Sequence, residues 1–293
     1  MKDSAAMEHG VVTFLTDYGI EPMVLARAAE ERGFDALFLT EHTHIPTSRR
    51  TPWPGGGELP RRYAHTFDPF VALAAMAVVT ERIALGTAVS LVAQHDPIVL
   101  AKTVASVDRI SGGRFELGVG PGWNIEEAAD HGVEPASRTA RMLEHVDAMR
   151  ALWTGDEAEF HGTFVDFEPV WSWPKPVRVP PVLVGGGGPT VLDRVLSHGD
   201  GWIPLRVPLR GLGTFAERIA ELRRRASDAG RGPLPVTIYG AASTPEALES
   251  YAAAGVDRAL FELPDHGEDA PGADGRGTEA TLRELDRLAT CAR

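Results

Sequence analysis

Four neighbouring residues, Glu41-His42-Thr43-His44, put a carboxylate and two imidazoles within one short stretch of this chain. An imidazole changes charge near neutral pH, so His42 facing a cavity would suit proton transfer or the holding of a substrate oxygen. Alternate residues of an extended chain point the same way, so His42 and His44 could also form half of a zinc site in a hydrolase. Such a centre needs further ligands. His198 and His266 fall away from predicted strand ends, and His95 lies in a loop before Asp96. A second group is the run Gly185 to Gly188, between the apolar stretch PVLV and Pro189. Glycines there let the backbone approach a ligand closely, and the N–H groups that open the next helix favour an anion, most naturally a phosphate. No lysine followed by Ser or Thr completes a nucleotide loop, so nucleoside triphosphate hydrolysis is not implied. At Gly86-Thr87-Ala88-Val89 small residues would let a flat ring lie against the backbone. Further on, the chain turns at Pro121-Gly122 before Trp123 and Asn124.

These groups need elements to position them. Apolar, β-branched runs predict buried strands over 11–15, 35–40, 83–89, 114–120, 181–184, 201–204, 236–239 and 256–263. Helical spacing predicts helices over 21–32, 68–80, 138–153, 189–198, 215–229, 245–254 and 279–292, with one more from Pro97 to the stop at Gly112-Gly113. Eight strand–helix units predict an α/β fold, a single (β/α)8 TIM barrel spanning 1–293. An open doubly wound sheet is the alternative, but no GxGxxG follows the first strand. In a barrel, the Glu41–His44 group, the Ala88-Val89 strand end, the Gly122–Asn124 turn and the glycine run would all emerge at the C-terminal mouth. Two insertions stand out, one after strand two (43–66, rich in Pro, Gly and Arg) and one between helix four and strand five (159–180, rich in aromatics). Long ordered loops often carry function, and Phe167, Trp171 and Trp173 would suit either a pocket wall or core packing. Residues 265–277 read as a flexible, solvated loop.

Composition narrows the function classes. The 293 residues carry a formal net charge of -12, which argues against nucleic acid as a partner. One cysteine, Cys291, leaves no disulfide framework and fits a reducing compartment. No signal-peptide core and no membrane-length apolar window is visible, so a cytoplasmic protein acting on a small molecule, without a membrane partner, is the expectation.

Several motifs together resemble the luciferase-like flavin and deazaflavin oxidoreductases: FDALFLTEH, ERIALGTAV, HDPIVLAKTVASVDRISGGRFELGVGPGW, FHGTFVDF, PPVLVGGGG and HGDGWIP, between about residues 35 and 204. The stretches EHTHIP, SRRTPWPGGGELP and GVGPGWN look most like the branch that uses the deazaflavin coenzyme F420. The resemblance implies a barrel, commonly a homodimer, that binds F420 or FMN at its mouth. It places a non-prolyl cis peptide at Ala88-Val89 behind the ring, Gly186, Gly187 and Gly188 at the phosphate, and Glu41 and His42 near ring and substrate. Gly122, Trp123 and Asn124 match the loop that closes over the cofactor; sugar-phosphate dehydrogenases of this branch carry a glutamate where Trp123 stands, and Trp123 would instead make a stacking, apolar wall. Arg49, Arg50, Arg61 and Arg62 would either meet the acidic tail of F420 or pair with local carboxylates such as Glu58. The implied activity is hydride transfer between F420 and an organic substrate, with His42 as the catalytic residue. An FMN-dependent monooxygenase using O2 and a non-catalytic flavin- or deazaflavin-binding protein are the alternatives.

Overall fold

A computed structural model describes residues 6–265 and 276–291 of the chain. Eight parallel strands form the barrel: β1 (Glu8–Thr13), β2 (Ala36–Leu39), β3 (Ala84–Thr87), β4 (Phe115–Val119), β7 (Val182–Gly185), β8 (Gly201–Ile203), β9 (Thr237–Tyr239) and β10 (Arg258–Glu262). They pair in the order β8-β7-β4-β3-β2-β1-β10-β9. Single bridges, Trp202 with Val236 and Leu205 with Tyr239, close the ring between β8 and β9. All eight strands and the barrel class follow the sequence expectation.

The barrel carries two apolar layers. Inside it, Val12, Ala36, Phe38, Ala88, Leu183, Ile203, Tyr239 and Leu260 pack as one cluster. Outside, the alternate strand residues meet the helices in a larger cluster. Strand residues alternate between the two, and this is why these strands read as continuous apolar runs rather than as an alternating pattern. Gly118 in β4 shows how tight the ring is: a Cβ there would lie 2.0 Å from the Thr87 carbonyl oxygen.

The enclosing helices are α1 (Pro22–Glu31), α2 (Pro69–Ala77), α3 (Pro97–Ile110), α5 (Arg138–Thr154), α6 (Val191–His198), α7 (Leu212–Asp228), α8 (Pro245–Ala253) and α9 (Arg276–Cys291), with a six-residue α4 (Ile125–Asp130) after β4. Three starts share one device. Asp68, Asp96 and Thr244 accept the N–H three residues on, and proline fills the first helical position.

The sequence showed no period for α4, which is too short for one. Residues 159–180 are not an irregular loop: they hold a hairpin, β5 (Ala158–His161) with β6 (Asp166–Val170), and then a strap. Because α5 runs antiparallel to the strands, the insertion that follows it emerges at the opposite end from the barrel mouth. Lys175 Nζ ties the strap to the last turn of α5 through the Leu152 and Gly155 carbonyls, at 2.8 and 2.5 Å. Phe167 is buried in the outer core, while Trp171 and Trp173 are exposed. None of the three lines the mouth. Of the stretch 265–277, residues 266–275, including His266, lie outside the described residues.

Candidate active site

At the C-terminal mouth a cavity of about 460 Å³ opens between the ends of β1, β2, β3, β4, β7, β8 and β9. Glu41 and His42, just past β2, come from adjacent positions and do different work. The Glu41 carboxylate is buried and accepts from Ser90 Oγ at 2.7 Å, the Leu91 N–H at 2.6 Å and His95 Nε2 at 2.7 Å. Burial alone would raise its pKa, but the hydrogen bond and charge of His95, with Ser90 and Leu91, outweigh it and hold the group below the usual carboxylate value. Burial would likewise lower His95, yet Glu41 holds it above the ordinary imidazole value. Glu41 is thus spent on fixing the loop after β3, where the Ala88–Val89 peptide is cis. Both of those residues line the cavity.

His42 turns into the cavity. Its Nδ1 lies 2.8 Å from Glu127 Oε2, and Trp123 Nε1 donates to its Nε2 at 3.3 Å. An indole can only donate, so Nε2 is the accepting nitrogen and the ring proton on Nδ1 goes to Glu127. Glu127 is almost fully buried and also accepts the Thr43 N–H at 3.1 Å. It sits on α4, 85 residues from His42. The rings of Tyr63 and Trp123 pack against His42 at 5.2 and 5.9 Å between centroids. Trp53 meets Tyr63 edge-on at 5.9 Å, which makes the wall around Nε2 aromatic.

Not every expected residue faces the cavity. Gly122 and Trp123 line it. Asn124 turns away, because its Oδ1 caps α4 by accepting the Glu127 N–H at 3.2 Å. Gly186 lines the cavity with a φ of 111°, a conformation open to glycine. Gly187 and Gly188 lie just outside, and a Cβ at either would meet nothing within 4 Å. Arg218 Nη1 and Nη2 draw the carbonyls of Gly187 and Gly188 at 2.8 and 2.9 Å, and Arg194 on α6 stands beside Gly186. The turn therefore opens α6 with two guanidinium groups around it, a setting suited to a phosphate.

His44 departs from His42 and bonds Asp130 Oδ2 at 3.0 Å. The loop arginines are partly engaged. Arg50 meets Glu126 at 3.2 Å, Arg62 meets Glu262 at 2.9 Å, and Arg49 lies over Trp123 at 6.0 Å. Arg61 lies over the Tyr18 ring at 4.7 Å. Two of the four, Arg50 and Arg62, thus meet carboxylates, Glu126 and Glu262, and the other two lie over aromatic rings.

Sequence reasoning missed Glu127, Tyr63, Arg206 and Tyr239, which shape the cavity or its wall. Glu127 had a signal. Asn124 followed three residues later by an acid is a helix-start pattern. The other three had none, since the loop after β2, which carries Tyr63, and two distant strand ends, which carry Arg206 and Tyr239, bring them together.

Comparisons with known proteins complete the site's context. The profile described as "Luciferase-like monooxygenase" matches residues 21–290. An uncharacterized protein of Mycobacterium tuberculosis is 43% identical over 271 residues, covering 90% of this chain and 94% of that protein. An F420-dependent glucose-6-phosphate dehydrogenase of Gordonia bronchialis is 34% identical over 188 residues, covering 62% of this chain and 52% of that one. The crystal structure of the monooxygenase RslO1 from Streptomyces bottropensis shares the fold with a TM-score of 0.76 and 21% identity, over 97% of this chain and 98% of that one.

Proposed function

The chain belongs to the luciferase-like monooxygenase family, and on that footing we propose that it is an oxidoreductase moving a hydride between coenzyme F420 and an organic substrate. One observation carries this reading: the Ala88–Val89 strand end, Gly186 at the head of the glycine turn, and His42 with Trp123 line one cavity. The residues fit a ring bearing a phosphate. Ala88 and Val89 offer a small, flat floor. The backbone at Gly186–Gly188 is bare, and Arg194 and Arg218 place positive charge where the phosphate would lie. Arg49 and Arg50 stand in the loop over the mouth, Arg50 with 77% of its side chain exposed, and suit an acidic tail.

When bound, the deazaflavin carries the hydride. The chain's part is to hold the substrate carbon near the ring, exclude water and manage the accompanying proton. With Nδ1–H committed to Glu127, His42 presents a lone pair at Nε2. A substrate oxygen that displaces the Trp123 indole would meet that lone pair directly. Nε2 then takes a proton from a substrate hydroxyl as the hydride leaves its carbon, or returns one in the reverse direction. Trp53, Tyr63 and Trp123 keep the surroundings apolar.

Titrating the purified protein with F420 and, separately, with FMN tests the assignment. F420 binding at least about tenfold tighter than FMN is the expected result, a difference of about 1.4 kcal/mol. Preferential FMN binding would replace it with the flavin monooxygenase reading, and binding of neither would remove both.

A further inference from the structure

Across the cavity from His42, one corner holds more hydrogen-bond donors than acceptors. Arg206 follows β8 and lines the cavity, with its backbone in the left-handed region at φ 41°. Its stem lies across Gly240, where a Cβ would come within 2.9 Å of Arg206 Cγ. Its backbone N–H is bonded to the Tyr239 carbonyl at 2.8 Å, so the two residues are held side by side. Arg206 reaches Glu262 Oε2 through Nε, at 3.1 Å, and through Nη2. Arg62 takes the other oxygen, Oε1, at 2.9 Å. One carboxylate therefore serves two guanidinium groups, and the corner keeps one positive charge. Donors are left over as well. Arg62 Nε is buried without a partner, and Arg206 Nη1 has none among the described residues. The phenols of Tyr63 and Tyr239, both of which line the cavity, likewise make no hydrogen bond among the described residues. Burial, with Glu262 nearby, pushes the Tyr239 phenol well above its ordinary value, so it stays a donor at any working pH.

We propose that Arg206, Tyr239 and Tyr63 form a subsite for a carboxylate on the substrate, whose flat, unsaturated body lies between Trp53, Tyr63 and Trp123. The proposal rests on the hydride-transfer reading and deepens it by naming a substrate class. A carboxylate is acceptor-only and matches what the corner lacks, whereas a neutral amide or alcohol brings donors of its own. Half of the Arg206 side chain, 51%, remains exposed, so the guanidinium can add an acceptor without leaving Glu262. Aromatic edges on the other walls favour a planar guest over a flexible sugar. His42 and Arg206 stand on opposite walls, so an acid anchored at one would present its remote end to the other.

The test compares 2-naphthoate with 2-naphthamide, two guests of one shape that differ in charge, by calorimetry on the protein with and without saturating F420. F420 binding is measured separately, so that failure of the cofactor reading shows independently of failure of the subsite. Naphthoate is expected to bind at least about tenfold more tightly than naphthamide, as suits a charge-assisted hydrogen bond. Arg206→Met should abolish that preference and Arg206→Lys should keep part of it. Glu262 stays paired with Arg62 in both variants, so both should fold, with far-UV circular dichroism and melting as the check. Equal affinities, no binding of either probe, or a preference that survives Arg206→Met in folded protein would overturn the subsite.

Discussion

A single imidazole carries the proposed proton step, and its neighbours decide whether it can. His42 has one nitrogen fixed by Glu127 and the other turned to the cavity. In the proposed role, His42→Ala lowers turnover by about 10²-fold or more while F420 affinity, followed by fluorescence titration, stays close to wild type. Glu127 acts through His42 as a positioning residue. Glu127→Gln keeps an acceptor for Nδ1–H and should lose about tenfold in kcat with KM little changed, whereas Glu127→Ala should fall toward His42→Ala. Unchanged turnover in His42→Ala would take this residue out of the reaction. At this scale the sequence was partly legible. EH after a buried strand pointed to His42 and Glu41, but not to their division of labour. Glu41 faces Ser90, Leu91 and His95, and those contacts depend on how the β3 loop folds over the β2 end. Glu127 stayed hidden because a contact across 85 residues leaves no local pattern.

Among elements, α4 is small and central. Four of its residues or flanks hold the loop after β2. Glu126 takes Thr51 and Arg50, Glu127 takes His42 and Thr43, Asp130 takes His44, and His131 Nε2 lies 2.7 Å from Thr43 Oγ1. The long arginine-rich loop is thereby pinned along residues 42–51. Glu126→Ala removes the acceptor of the Thr51 N–H, a bond of 3.0 Å to a charged group. Hydrogen exchange at Thr51 should then speed up about tenfold or more, with the barrel's melting little altered. Unchanged exchange there would mean that other contacts hold the loop. Barrel strands were legible in the sequence because burial on both faces leaves continuous apolar runs. A six-residue helix is shorter than the window in which a period can be seen, and the β5–β6 hairpin was concealed by irregular aromatic spacing.

At the scale of the whole molecule, α1, α2 and α3 pack side by side and leave apolar side chains outward: Met23 and Val24, Val71, then Ile98 and Val99, with Val71 71% exposed and Val99 63% exposed. Patches of this kind on soluble proteins mark contact surfaces. We propose this face as the contact surface of the homodimer that the family resemblance implies. Val71→Asp combined with Val99→Asp should turn a dimer into a monomer in sedimentation velocity while the cavity still binds F420. A wild-type monomer at working concentration would discard the dimer. Among the described residues no helix is long and apolar enough to cross a membrane. The clamp of α4 on the β2 loop has one more consequence. Lifting the loop to admit substrate would pull Thr43 from Glu127 and loosen His42 in the same motion. On the proposed function, the clamp thus makes loop position and proton transfer one variable: His42 is armed while Thr43 stays on Glu127, and a raised loop would leave the imidazole unaimed.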